Sequence, residues 1–162
     1  MATTTLPRRA YLVIGTVLTH PRWHPIHRWL YRLTGGRGPV SRAIGMDMIL
    51  ITTTGRRSGV ARTIPLAVVA DGPDWILIAS NAGKDRMPAW VHNLRADPRV
   101  TVKHRRTRSR FLARELEGTE YDDVWDVVTA AYPGYDVYRE RTARTIPLIR
   151  LEPAPADPRQ GA

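Results

Sequence analysis

Three short stretches of the chain carry side chains able to grip or wall a charged, flat ligand. The first, TTTGRRSGVARTIP at residues 52–65, sets Arg56, Arg57 and Arg62 around two glycines and Ser58. Arginine forks match phosphate and carboxylate oxygens two at a time, and Gly55 and Gly59 allow a ligand to approach the backbone closely. The plainer alternative is a hairpin turn with solvated charges. It is not a P-loop, because the GK[ST] ending and the following helix are missing. The second stretch, SNAGKDRMPAW at 80–90, places Ser80, Asn81, Lys84 and Arg86 just ahead of a helix start, where unpaired amides favour anions. A capped, solvated loop is its alternative. The third, YPGYDVYRERT, repeats tyrosine at 132, 135 and 138. On a helical turn these rings would line one face, as core packing or as the wall of an aromatic ligand site.

Other chemistries find less support. The chain has no cysteine, which excludes disulfides, thiolate metal sites and cysteine nucleophiles. His20, His24 and His27 lie close together, but Pro21 and Pro25 interrupt any helix that would align them, and no carboxylate is near. No metal site is expected. His92, beside Trp90, reads as a core or pocket histidine. HRRTRSR at 104–110 is basic enough to suggest nucleic acid, yet its alternation with Thr and Ser suits a solvated strand and turn better. No Ser-His-Asp order and no paired carboxylates stand out.

The elements that must position these residues follow from periodicity. MILITTT, RTIPLAVVA and WILIAS read as three strands, joined by the GRRSG turn and by Asp71–Gly72–Pro73. PAWVHNLRA at 88–96 reads as a helix with proline at its start. VTVKH and FLARELE form another hairpin around RRTRSR. Thr119 is expected to cap a helix that runs to Pro133, and TIPLIRLEP at 145–153 reads as the last strand. Ahead of Met48 the pattern is helical, over about 7–18 and 25–33, and TGGRGP at 34–39 is a connector. The expected organisation is an N-terminal helical extension over 1–38, a main domain over 39–153, and a disordered Pro-rich tail over 154–162. Short hairpin strands with inserted helices predict an antiparallel α+β domain or small barrel. No GxGxxG joins a strand to a helix, so a Rossmann fold is excluded.

Charge adds a direction. Of the net +10, residues 1–66 hold ten arginines against the single acid Asp47, whereas the remainder is nearly balanced. Such a field draws nucleic acid, anionic lipid or a polyanionic small ligand, and composition does not choose among them. The apolar run YLVIGTVL at 11–18 is far below the roughly 20 residues that span a bilayer, and no small-residue cleavage site follows it. The expectation is a cytoplasmic protein whose basic N-terminal segment can make weak contact with the inner face of the membrane.

The blocks TTTGRRSGVARTIPL, ASNAGKDRMPAWVHNLRADPRVTV and AAYPGYDVYRERTARTIPLIRLEP, in this order from about Ile49 to Pro153, resemble the deazaflavin-dependent nitroreductase family. That resemblance implies a split β-barrel of the FMN-binding type and reduced coenzyme F-420, an 8-hydroxy-5-deazaflavin with a phosphate and an oligoglutamate tail. It implies that Arg56, Arg57 and Ser58 lie along the phosphate and tail, with Arg62, Thr63, Ile64, Pro65, Leu66 and Ala67 running past the phosphate to the ring edge. Ile78, Ala79, Ser80 and Asn81 match the strand end beside the deazaflavin, with Lys84 and Arg86 adding charge. Ala89, Trp90, Val91, His92 and Asn93 match the helix start beneath it. Tyr132, Tyr135 and Tyr138, with Ala67, match the substrate side, and Tyr135 or Ser80 could orient the acceptor or relay a proton. Two positions depart from the nitroimidazole-activating member: Ala67 replaces its tyrosine and Asn81 its lysine. The implied reaction is hydride transfer from the reduced coenzyme to a quinone, an enone or an activated nitro compound, by a monomer or a homodimer. The rivals are an FMN-binding split barrel and a non-enzymatic basic module for anionic lipid or nucleic acid.

Overall fold

The computed structural model describes residues 46–155, together with Pro7 and Ala10. The expected helical extension, apart from those two residues, and the tail beyond Pro155 lie outside the described residues. Six strands and three α-helices make up most of the described residues. β1 (Asp47–Thr54), β2 (Ala61–Asp71) and β3 (Asp74–Ile78) form a meander, then α1 (Ala89–Ala96) intervenes. β4 (Arg99–His104) and β5 (Thr107–Glu115) form a hairpin, α2 (Gly118–Ala131) and α3 (Gly134–Arg141) follow, and β6 (Leu148–Pro153) ends the domain. The sheet closes on itself in the order β1-β2-β3-β6-β5-β4, every pair antiparallel. Closure removes the sheet edges that an open sheet of short strands would expose.

Period-two alternation divides the core. Ile49, Ile51, Val68, Leu77, Ile149 and Leu151 point into the barrel, where Trp90, Val91 and Leu94 of α1 join them. The opposite faces of β2, β3 and β6, through Val69, Ile76, Ile78 and Leu148, pack with Val124, Trp125 and Val128 of α2 and Tyr135 and Tyr138 of α3. Strands apolar on both faces, such as WILIA, are those covered on both sides.

Four expectations need correction. β5 starts at Thr107, not near Phe111, and the turn shrinks to Arg105 and Arg106, with Arg105 at φ +56°. Residues 107–110 are all exposed, so this end of the hairpin carries no apolar alternation to announce a strand. α2 begins at Gly118, whose φ is +58°, so Thr119 falls inside the first turn and caps nothing. The tyrosines do not share one helix. Tyr132 is the extended residue that ends α2, and only Tyr135 and Tyr138 stand on α3. β6 starts at Leu148 rather than 145, because Arg144 and Thr145 serve the loop described below.

Candidate active site

A cavity of about 1140 Å³ opens between the β1–β2 turn, the start of α1, the loop after β3, and the α2–α3 junction. Its lining combines two kinds of side chain. The β1–β2 turn and the start of β2 bring Arg56, Arg57 and Arg62, the loop after β3 brings Lys84 and Arg86, and no Asp or Glu is among the described residues that line it. The inner walls are apolar and aromatic: Met46, Ile64, Leu66, Ile78, Trp90 and the three tyrosines. Clustered cations beside an apolar slot fit a ligand with an anionic tail and a flat ring.

The arginine rim is held by its turn. Gly55 N–H donates to Val60 O at 2.9 Å, and Gly59 N–H returns to Gly55 O at 2.7 Å with Gly59 at φ +66°. A side chain on Gly55 would meet Ser58 Oγ at 2.9 Å and Val60 O at 3.0 Å, so only glycine lets the turn fold this tightly. From α1, buried Asn93 reaches across. Its Oδ1 accepts from Arg56 N–H at 3.1 Å, and its Nδ2 donates to Thr53 Oγ1 at 3.0 Å. One amide thus fixes the arginine turn, β1 and α1 to each other.

The second wall is the loop after β3. Asn81, Ala82 and Gly83 all have left-handed backbone, at φ +47°, +55° and +73°. Two non-glycine residues in succession there cost about 1–3 kcal/mol each unless neighbours hold them. The neighbours are present. Asn81 Nδ2 donates to Arg86 O at 2.8 Å, Thr142 Oγ1 donates to Asp85 Oδ1 at 2.8 Å, and Ala143 N–H adds a second bond to that oxygen. The bond from Thr142 is the main reason Asp85 sits below the usual carboxylate range. Arg144 binds the carbonyl oxygens of Ala79, Ser80, Lys84 and Thr145 at 2.9 to 3.2 Å. Its burial among carbonyls lowers its pKa.

Tyr132, Tyr135 and Tyr138 are each at least nine-tenths buried and meet edge to face, at centroid spacings of 5.3 and 6.0 Å. They are core and cavity wall at once. Burial pushes the Tyr135 and Tyr138 hydroxyls well above the usual tyrosine range. The Tyr135 hydroxyl rests on Met46 Sδ at 3.8 Å, a weak acceptor.

Most of the residues singled out in the sequence meet in this one cavity, from Arg56, Arg57, Ser58 and Arg62 through Ser80 and Asn81 to Ala89, Trp90, His92 and Asn93. Three do not line it. Thr63 Oγ1 shares a hydrogen bond with Thr52 Oγ1 at 2.8 Å across the β1–β2 pair. Ala79 and Val91 point into the barrel core, because alternation and helical phase turn them away from their neighbours. Sequence reasoning missed Met46, Met48, Thr53, Ala82, Met87 and Pro88, which with Gly55 complete the lining. It also missed Arg144, which lies 65 residues from Ala79 along the chain, so no local pattern could reveal the contact.

A closed six-stranded antiparallel barrel with a cation-lined, aromatic-walled cleft defines a split-barrel protein of the flavin or deazaflavin type. A solved F420-H2 dependent reductase, FDR-A, is 37% identical, with a TM-score of 0.60 over 65% of this chain and 93% of that one. A protein described as a domain-swapped dimer matches equally well, at 37% identity and TM-score 0.60, over 65% of this chain and 79% of that chain. The F420H(2)-dependent quinone reductase Rv1261c of Mycobacterium tuberculosis is 31% identical over 129 residues, which is 78% of this chain and 87% of that protein. The model of the F420H(2)-dependent quinone reductase family matches residues 23–153. This chain belongs to that family. It is an oxidoreductase, and of the two cofactors considered, its hydride donor is reduced coenzyme F-420.

Proposed function

We propose that the chain catalyses two-electron reduction of a quinone by reduced coenzyme F-420 in this cavity. The single observation that carries the residue assignment is the lining, whose described residues include five cations, no acid, and a set of apolar and aromatic walls. Arg56, Arg57 and Arg62, with Lys84 and Arg86, take the phosphate and carboxylates of the coenzyme tail through charge-assisted hydrogen bonds. Trp90, Ile64, Leu66 and Ile78 provide flat apolar contact for its ring. Bound there, the reduced coenzyme supplies a hydride.

The remaining work belongs to the chain. The tyrosine wall and Ala67 hold the acceptor against the ring, since bringing two reactants to contact is a large contribution that a protein makes to such a transfer. Ala67 lines the cavity and packs against the core cluster that includes the tyrosines, and its small side chain leaves room where a larger one would stand. Tyr135, kept protonated by burial, can donate a hydrogen bond to an acceptor oxygen but does not release its proton near neutrality. The proton that completes the hydroquinone therefore comes from solvent or through the Ser80 hydroxyl at the wall. Dimer formation is proposed for this chain from the domain-swapped relative, and light scattering of the full chain tests it.

The test of the function is to mix the full chain with reduced coenzyme F-420 and, separately, quinones, enones and nitroaromatics. Oxidation of the coenzyme fastest with quinones is expected. No oxidation with any quinone, or turnover that requires added FMN, would overturn the reading.

A further inference from the structure

The loop after β3 holds a feature that binding of the tail and ring leaves unused. Ser80 has right-handed backbone (φ −66°, ψ −34°), and left-handed Asn81 follows it. That alternation gathers successive N–H groups into a concavity suited to an anionic or carbonyl oxygen. The N–H groups of Gly83 and Lys84 are bonded, to Ser80 O and Asn81 O. Those of Ser80, Asn81 and Ala82 have no acceptor among the described residues. Ser80 is 8% exposed and Ala82 1%, and all three residues line the cavity. Unpaired donors in buried backbone are rare because they are costly, so an acceptor from the ligand is the natural partner.

Arg144 stands behind this nest. One guanidinium nitrogen donates to Ala79 O at 2.9 Å and to Ser80 O at 3.0 Å. The described backbone has no cis peptide, and in a trans unit the N–H points opposite to the C=O. The two units that Arg144 holds by their oxygens are those whose N–H groups belong to Ser80 and Asn81. Their donor ends therefore face away from the guanidinium. The charge also polarises both units and makes them better donors.

We propose that Arg144 is a positioning residue, which fixes and polarises an N–H nest at Ser80, Asn81 and Ala82 for a carbonyl oxygen that carries negative charge. This rests on the quinone reductase reading. Two oxygens have that chemistry. A quinone that takes up a hydride becomes a hydroquinone monoanion, with the charge on oxygen until one proton neutralises it. In the oxidised coenzyme, charge from the ionised 8-hydroxyl is conjugated into a ring carbonyl. Fixed donors at either oxygen stabilise the charge without reorganising.

Two variants of the full chain separate the possibilities. Arg144→Lys keeps the charge and loses the fork. Ser80→Pro removes one nest N–H at a φ that proline adopts, and that N–H has no protein acceptor to lose. Ser80→Ala is its reference, since it removes only the hydroxyl. The readouts are affinity for oxidised F-420, the pH at which the bound coenzyme's absorption shifts on ionisation, and kcat and KM for one quinone. If the nest holds the coenzyme's oxygen, both variants weaken coenzyme binding about tenfold or more and raise that pH. If it holds the acceptor's oxygen, the coenzyme readouts stay put and kcat falls about ten- to a hundredfold. Ser80→Pro indistinguishable from Ser80→Ala overturns the nest, and unchanged readouts in Arg144→Lys overturn the role of Arg144. If one variant fails to fold, the other decides. A wild-type chain that neither binds nor oxidises the coenzyme would sink the parent reading instead.

Discussion

Asn93 and Arg62 show how differently two residues of one cavity wall can act. Arg62 is exposed and has no ion-pair partner among the described residues, so its charge is available to a ligand. Arg62→Glu is expected to weaken coenzyme binding at least tenfold while the melting temperature hardly moves, as checked by fluorescence titration and thermal unfolding. Asn93→Ala should do the reverse in kind. It leaves the buried Thr53 Oγ1 and the part-buried Arg56 N–H without their partner, a loss of about 1–3 kcal/mol in unfolding free energy, measurable by denaturant titration. Coenzyme affinity falls only as a consequence, because the arginine turn is no longer anchored to α1. Ala67 governs a third quantity. Ala67→Tyr narrows the acceptor side, and steady-state kinetics should show KM rising for bulky quinones with coenzyme affinity unchanged.

At the scale of elements, the loop after β3 and α3 depend on each other. A side chain on Gly83 would lie 2.8 Å from Tyr138 O and 3.0 Å from Arg141 Cβ, on backbone at φ +73°. Gly83→Ala therefore strains the turn and pushes α3 away, with an expected cost of about 1–3 kcal/mol and a loss of turnover larger than that of Asn93→Ala. Thermal unfolding and kinetics on the two variants side by side check the ranking. The strands were legible in the sequence because apolar side chains repeat at period two wherever a face is buried. That same rule explains the failure at β5, whose first four residues have both faces in water. The helix of PAWVHNLRA was legible from proline and helical spacing. The break after Ala131 was legible too, since Pro133 keeps Tyr132 out of helical backbone. The restart as α3 at Gly134 was not, because YDVYRER carries no apolar helical repeat beyond its two tyrosines.

For the whole molecule, charge decides two further behaviours. The described residues of the cavity have a cation excess and no acid, so affinity for the polyanionic coenzyme should fall steadily as salt is raised from low to physiological ionic strength, where screening acts over about 8 Å. The KM of a neutral quinone should not follow it. Acid acts on the fold instead. Asp85, held down by Thr142, and Asp97 and Glu120, held down by Arg99 and Arg114, all ionise more readily folded than unfolded. Such groups contribute stability that is complete above their unfolded values of 3.8 to 4.5 and is lost as pH falls through the lower folded values. Melting temperatures should therefore be flat from pH 7 to about 5 and drop below about 4. By itself, the sequence determined which residues could do the chemistry. Arginine beside glycine, polar residues ahead of a helix start and spaced tyrosines are local patterns, and the strand periods beneath them are local too. Only the tertiary structure brought them to one cavity. It turned Thr63, Ala79 and Val91 away from that cavity and set Arg144 behind Ala79 and Ser80, because barrel closure joins residues far apart in the chain and side-chain direction depends on strand register and helix phase.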